Sequence, residues 1–458
     1  MRKFFGTDGI RGIVNEILTP ELAYKLSRAI IGYFKDVKKK KVIIGSDTRN
    51  SKDMLKSALI AGFTSGGMDI LDVGVVSTPS LSYLVKKYDD VLLGIMISAS
   101  HNPVEYNGIK IFKSDGFKLE DEVEATIEEY ILRGDDYFRA SPREVGVIYN
   151  FTQALEDYKN YLKEIIGEDF RGYKIMLDCA FGSLSEIAPT VFKELGAEVI
   201  AYNTNYNGIN INDNCGAVYP EIGRNLFLKS GAHIGFTYDG DGDRVIAFSE
   251  DGEIVDGDVL IGIFAKYLKE RGLLRGNKIV GTVMTNLGLE EYLKRLGIGL
   301  IRAKVGDRYV LEEILKNNLN LGGETSGHII LFDYMPTGDG LLTSLFLLKI
   351  LKERGIKFSD LAKEIRIFPQ VHEKIHIKDI YITEEDEKEF RGIAEEVING
   401  KNIRYIVRKS GTEPVIRITV EGDVPKEDLT NIALEIKNRI IDFLRRSKRQ
   451  DLPSKGVS

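Results

Sequence analysis

Cysteine is nearly absent from this chain: Cys179 and Cys215 are the 2 cysteines in 458 residues. That is too few for a disulfide-built extracellular domain, and their spacing offers no C-x-x-C metal pair, so both read as reduced structural thiols. Long apolar runs are missing as well. No stretch approaches 18 uninterrupted apolar residues, and the opening MRKFFGTDGIRGIVNE meets Gly and Asp within its first ten residues. Neither a membrane span nor a signal-peptide core is expected, and the cytoplasm is the default compartment. A basic excess is lacking too. Lys+Arg number 63 against 69 Asp+Glu, a net charge of −6, which gives no electrostatic footprint for nucleic acid. Glutamine is confined to Gln153, Gln370 and Gln450 while Lys and Glu abound, a bias of the thermophilic kind.

What is present is an ordinary globular composition, 43% hydrophobic and 29% charged, which excludes disordered and collagen-like chains. At roughly 150 residues per domain the length predicts about three domains, or four. An internal repeat is visible when the apolar runs are aligned: a β-branched strand, a small-residue loop, an amphipathic helix, then Gly and another strand. The copies are KVIIGSDTRN with MDILDVG, YKIMLDCAFGS with AEVIAY, and NKIVGTVMTN with IGLIRA. Gly66, Gly196 and Gly297 fall where each helix needs a left-handed C-cap, and continuous Val/Ile runs predict strands buried on both faces. The fold class is therefore α/β: three similar domains with mostly parallel sheets over 1–150, 151–252 and 253–366, then a smaller α+β domain over 367–445. The polar end, 446–458, reads as a disordered tail.

Four segments carry chemistry. GIMISASHNPVEYNGIKIF runs from an apolar strand into a loop holding Ser98, Ser100, His101 and Asn102. Loops at the carboxyl ends of such strands are where ligands and nucleophiles sit. Ser100 is the candidate nucleophile, with Lys110 and His101 as local candidates for the base an unaided serine needs; a Ser/Asn/Pro turn is the alternative. No G-x-S-x-G elbow occurs, against an α/β-hydrolase. FTYDGDGDRVIAF sets Asp239, Asp241 and Asp243 at alternate positions between glycines, hard oxygen ligands suited to Mg²⁺ or Ca²⁺. An EF-hand reading would put Glu250 twelfth. It fails because Arg244 stands where that loop needs Gly, and because the flanks read as strands.

KVGDRYV and GGETSGHI form the third segment, where Glu324, Ser326 and His328 alternate in a Gly-framed loop suited to sugar hydroxyls, or form a tight turn with a satisfied histidine. His328 is also a candidate proton carrier. YIVRKSGTEPVIRITVEG is the fourth. There Arg408, Lys409, Ser410, Gly411 and Thr412, with Arg417, can make a phosphate nest, or a plain Gly turn in a hairpin. Arg11 and Arg49 stand in Gly/Thr/Asp loops and either steady a phosphorylated group or serve the turns.

Taken in order along the chain, FGTDGIRG, ISASHNP, DGDGDR, GGETSGH and RKSGTEPVIR closely resemble the α-D-phosphohexomutase superfamily over nearly the whole length. The resemblance implies four domains around a central cleft, each giving one loop to the active site. It implies that Ser100 is the phosphoserine, and that Asp239, Asp241 and Asp243 hold Mg²⁺ together with its phosphate. Arg244 is then near the reacting phosphate, and Glu324 and Ser326 bind sugar hydroxyls. Arg408, Ser410, Gly411, Thr412 and Arg417 bind the non-reacting phosphate. Lys110 and His328 match positions of proton transfer, and Arg11 stands in the cleft. KVGDRYV and GTVMTNLGLE resemble the bacterial phosphoglucosamine mutase branch, with the phosphomannomutase/phosphoglucomutase branch as alternative. Thr325, Phe181 and Ser183 depart from the branch pattern, and Thr325 puts the sugar preference in doubt. The implied partner is a phosphosugar, with a sugar 1,6-bisphosphate as intermediate and activator, no nucleic acid and no membrane; a homodimer is compatible. Hinge motion near Arg366–Gln370 is expected. A metal-dependent phosphatase and a non-catalytic Ca²⁺ module are the competing classes.

Overall fold

The structure is a computed structural model that describes residues 3–6, 8–134, 138–377, 382–401, 403–410 and 414–447. Two compact units emerge, one of Met1–Met284 with Gly297–Glu364, the other of Thr285–Leu296 with Ile365–Ser458. Among the described residues the strands form four sheets.

In the larger unit the first sheet has order β1-β2-β6-β5-β3-β4-β7: β1 (Phe5–Gly6), β2 (Gly9–Ile13), β3 (Lys41–Ser46), β4 (Asp69–Val75), β5 (Val91–Ile97), β6 (Tyr106–Lys113) and β7 (Ile148–Asn150). The second has order β12-β11-β10-β8-β9, from β8 (Lys174–Asp178), β9 (Glu198–Tyr202), β10 (Ile234–Tyr238), β11 (Val245–Phe248) and β12 (Ile254–Val255). The third is β14-β13-β15-β16, from β13 (Lys278–Thr282), β14 (Gly299–Ala303), β15 (Leu321–Gly323) and β16 (Ile329–Leu331).

The repeat read from the sequence is thus a repeat of topology. In each copy the first strand is central, the second pairs parallel on one side, the third parallel on the other, and a fourth returns antiparallel: β4-β3-β5-β6, β9-β8-β10-β11 and β14-β13-β15-β16. Residues buried on both faces, as in the KVIIGS strand β3, supply the Val/Ile runs. The loop joining third to fourth strand carries ISASHNP in the first copy, DGDGDR in the second and GGETSGH in the third. Repetition of one hairpin therefore positions three of the four motifs.

Gly196 and Gly297 take the expected left-handed φ, 88° and 65°. Gly66 does not; its neighbour Gly67 does, at 80°, because the helix Lys52–Ser65 ends in a turn that binds the N–H of Gly66 to Phe63 and that of Gly67 to Thr64.

In the smaller unit β17 (Gln370–His376), β18 (Ile403–Lys409) and β19 (Val415–Gly422) form an antiparallel sheet of order β17-β19-β18. Helix Glu384–Ile398, opened by a Thr383/Asp386 capping box, and the closing helix Lys426–Ser447 cover its apolar face, burying Phe390, Ile418, Ile436 and Ile440. Thr285–Leu296 belongs here through Asn286, whose side chain bonds both backbone groups of Phe368, and Glu421, which accepts from the Leu287 N–H. Arg446 and Ser447, read as the start of the tail, continue the last helix, with Arg446 Nε and Ser447 Oγ donating to the carbonyls of Asp442 and Phe443. Residues 448–458 lie outside the described residues. Among the described residues no helix is long and apolar enough to cross a membrane.

Candidate active site

Ser100 lies just beyond β5 in a left-handed conformation, φ 53°, and is buried. Its N–H donates to Ser98 Oγ at 2.9 Å and its Oγ donates to Asp239 Oδ2 at 2.7 Å, with His101 Nδ1 at 3.3 Å. The serine and the first carboxylate of DGDGDR, 139 residues apart, are thereby one cluster. Gly240 is required at this junction. A Cβ there would lie 2.8 Å from the Ser100 carbonyl oxygen and 2.7 Å from Ile211, so the two loops pack backbone to backbone.

Asp239, Asp241 and Asp243 are all buried and bring one carboxylate oxygen each within 4.8 Å of the others. Burial, then the charges of Asp243 and Asp241, push the Asp239 carboxyl well above the usual range. Asp241 is held the other way. Burial raises it, but Lys110 at 2.9 Å and the Thr78 hydroxyl at 2.5 Å outweigh burial and lower it. Asp241 Oδ1 and Asp243 Oδ1 are buried without a hydrogen-bond partner. Two orphaned oxygens among three crowded carboxylates fit a small divalent cation, which would satisfy both and relieve the repulsion. Glu250 is elsewhere: it accepts from the N–H and, at 2.6 Å, the hydroxyl of Ser359. The EF-hand reading ends there.

Lys110 is sequestered among Asp241, Asp8 at 3.0 Å and Asp243 at 3.5 Å. Burial opposes its charge, but these carboxylates prevail and keep the ammonium well above its usual range. Asp8 also pairs with Arg11 at 2.8 Å and with Lys118, and Lys118 bridges to Asp307. Arg11 additionally donates to Asn102 at 3.3 Å. His101 is half-buried; burial, then Arg244 and Arg11, push it down to about 3, so its ring is neutral at neutral pH. His328 Nε2 faces Asp307 at 3.7 Å and Asp243 at 4.0 Å.

The metal and sugar loops are joined directly. Val245 N–H donates to Gly327 O at 3.1 Å, and Arg244 pairs with His328 in an isolated bridge. Gly327, φ 88°, is fixed by that approach, since a Cβ would lie 2.1 Å from the Val245 carbonyl oxygen. A cleft of about 440 Å³ results, lined by Arg11, Ser100, Asp243, Arg244, Glu324, Ser326 and His328 among others. Lys110, Asp239 and Asp241 are buried and are not among its lining residues. Glu324 Oε1 accepts from the Gly306 N–H at 3.0 Å, and Thr325 donates to Asp258 at 2.9 Å. Sequence reasoning missed Asp8, Lys118 and Asp307. KVGDRYV was noticed, but nothing local distinguished its aspartate from a helix-start residue. Of the two readings of Arg49 the structure fits the turn role: its side chain is wholly buried against Asp47 and backbone carbonyls.

In the smaller unit Arg408 stands directly opposite Arg417 across β18 and β19, and Lys374 on β17 opposite Arg417 on its other side. Three cations thus stand in one cross-strand row. Burial, then Arg417, lowers the Arg408 guanidinium from its usual value. Ser410 is buried at the end of this hairpin, its N–H bonded to Val415 O at 2.9 Å. Gly411 and Thr412 lie outside the described residues. Lys374 carried no sequence signal, since only the sheet register brings it to the row.

Residues 2–138 match the family described as phosphoglucomutase/phosphomannomutase, alpha/beta/alpha domain I, residues 256–367 its domain III, and residues 371–439 its C-terminal domain. The chain is 99% identical over 458 residues, the full length of both, to a phosphoglucosamine mutase of Dictyoglomus thermophilum. A phosphoglucosamine mutase of Bacillus cytotoxicus is 46% identical, with 97% of this chain and 99% of that one covered. Among solved structures, a phosphoglucomutase/phosphomannomutase family protein of Burkholderia thailandensis aligns with a TM-score of 0.80 at 23% identity, over 99% of each chain, a likeness of fold.

Proposed function

The chain belongs to the phosphoglucosamine mutases of the phosphoglucomutase/phosphomannomutase superfamily, and from that premise we propose that it interconverts glucosamine 6-phosphate and glucosamine 1-phosphate through a phosphoserine at Ser100. It is an isomerase that moves a phosphoryl group within one sugar. The observation that supports this route best is the Ser100 hydroxyl held 2.7 Å from Asp239, in a cluster with two buried carboxylate oxygens that have no hydrogen-bond partner.

In the forward half-reaction the bond from phosphorus to Ser100 Oγ breaks and one to the sugar O1 forms, the O1 proton passing to a base. The resulting 1,6-bisphosphate then presents its other end. Its phosphorus-to-O6 bond breaks, Ser100 is rephosphorylated, and O6 takes a proton. Asp239, Asp241 and Asp243 would hold Mg²⁺, whose chemistry there is to neutralise charge on the transferring phosphoryl group. Arg244 and Arg11, lining the same cleft, add cationic donors for that group. Lys110, kept as an ammonium by its carboxylates, balances the charge of the metal loop and holds its proton. His328 is the proposed proton carrier on the sugar side. Glu324 and Ser326 take sugar hydroxyls. Arg408, Ser410, Gly411, Thr412 and Arg417 take the phosphate that is not reacting, as the fourth functional part of a chain whose first three parts are the topological repeats. The working compartment is proposed as the cytoplasm, with a phosphosugar, and neither nucleic acid nor membrane, as partner.

The test is kcat/KM for glucosamine, glucose and mannose 6-phosphates with Mg²⁺ and a trace of sugar 1,6-bisphosphate. Preference for the amino sugar, lost in Ser100→Ala, is expected. Preference for mannose or glucose phosphate would keep the route and overturn the substrate.

A further inference from the structure

The loop that presents Ser100 wraps around a single side chain. Arg49 has five N–H bonds in a fixed planar fork, and each has an acceptor. Nε donates to Asp47 Oδ2 at 3.0 Å, one terminal nitrogen to the carbonyls of Pro103 at 2.5 Å and Tyr106 at 3.0 Å, the other to those of Ser100 at 3.0 Å and Asn102 at 2.7 Å. The side chain is 0% exposed. Its counter-ion Asp47 accepts from Ser98 Oγ at 2.7 Å, and that same hydroxyl accepts the Ser100 N–H. The Asp47–Arg49 pair thus governs both ends of residue 100, the carbonyl directly and the amide through Ser98. From the second repeat, Asn212 Nδ2 reaches the Ser100 and Asn102 carbonyls at 2.9 and 3.1 Å.

A left-handed backbone is uphill for serine and persists only where its surroundings over-determine it. Four carbonyls drawn onto one buried guanidinium do this, and they turn the Ser100 side chain outward to Asp239. Lysine could not substitute: three donors at one point do not span four carbonyls and a carboxylate.

Building on the mutase reading, we propose that Arg49, with Asn212 as auxiliary, is the positioning residue for phosphoryl transfer, fixing the Ser100 backbone so that Oγ keeps its place whether or not it carries the phosphoryl group. Arg49 acts from behind the loop and touches neither substrate nor phosphate.

The test uses the full chain with Mg²⁺ and bisphosphate present. In Arg49→Lys, kcat is expected to fall about 100-fold, the cost of roughly 1 Å of misplacement, while KM for glucosamine 6-phosphate stays within about 3-fold. Asn212→Ala, which removes the auxiliary bonds alone, is expected to lower kcat several-fold at unchanged KM. Hydrogen exchange of the amides from Ser100 to Asn107 should quicken in both variants while the amides of β8 stay protected. A folded Arg49→Lys enzyme with kcat within 3-fold of the original overturns the proposal, as does a loss carried by KM. Should Arg49→Lys fail to fold, Asn212→Ala decides, and unchanged kcat and exchange overturn it. Exchange reads the clamp whatever the substrate, so failure of the mutase reading, seen as activity surviving Ser100→Ala, is distinguishable from failure of this one.

Discussion

Around Ser100, cations and carboxylates interleave: Arg11, Lys110 and Lys118 converge on Asp8, Lys110 also meets Asp241, and Arg49 meets Asp47. In the sheet of the smaller unit, Lys374, Arg417 and Arg408 instead follow one another across three strands with like charge. The first arrangement is preorganised, since its dipoles and charges already hold each other in place before any substrate arrives. The second sets three cations in register on one sheet, and on the proposed function it would suit a phosphate, which has no preferred end and so could be held in either orientation of a bisphosphate. Chemistry demands a fixed atom; turnover demands a releasable grip. Lesions in the serine loop should therefore appear in kcat and lesions in the cationic row in KM.

The largest effect should come from Ser100→Ala, with mutase turnover falling at least 10⁴-fold while the thermal midpoint stays within a few degrees; a smaller loss would mean the phosphoryl group travels another way. Next, Asp243→Asn is expected to cost 10²- to 10³-fold in kcat and to weaken Mg²⁺ binding by calorimetry, because one of the two orphaned oxygens is lost. Chelation should silence the original enzyme and added Mg²⁺ restore it.

Arg417→Ala should raise KM about 10- to 100-fold, roughly 1.4–2.7 kcal/mol, with kcat changed only a few-fold, and Lys374→Ala should raise KM about 3-fold. If either acted mainly on kcat, the contrast between the two regions would fail.

The last effect concerns stability against pH and leaves turnover at neutral pH aside. His101 has its folded value depressed to about 3 against an unfolded value near 6.5, so as pH falls below 6.5 the unfolded chain takes a proton that the folded one refuses. Stability from this group is present above pH 6.5 and is lost on acidification toward pH 3. By pH 4.5 the loss is about 2–3 kcal/mol. His101→Gln should lose that much less between pH 7 and 4.5 in urea titrations, and equal losses would refute the burial of a neutral ring.

Much of this was legible beforehand because it is local. The Val/Ile runs, the spacing of helices between them and the D-G-D-G-D crowding are properties of short windows, and the strands they predict around Asp239–Asp243 are β10 and β11. Lys110 was identified, but its protonation was not, because that depends on Asp8 and Asp241, 102 and 131 positions away in the chain. For the same reason the sequence leaves Arg49 open between a phosphate contact and a turn role. GSDTRNS looks like a binding loop until the carbonyls of Ser100, Asn102, Pro103 and Tyr106 are seen around it. Lys374 had no signal at all, and it joins the row only through antiparallel register with Arg417.

By itself, then, the sequence determined the repeated strand–helix plan, the family resemblance and the residues able to bind metal or phosphate, since periodicity and donor chemistry are written along the chain. The tertiary structure decided which of those residues meet: that three equivalent hairpins supply three of the motifs, that Ser100 faces Asp239, that Arg49 serves the backbone, and that Lys110 stays charged. Burial and mutual distance set those outcomes, and both are properties of chain segments far apart in sequence brought together by folding.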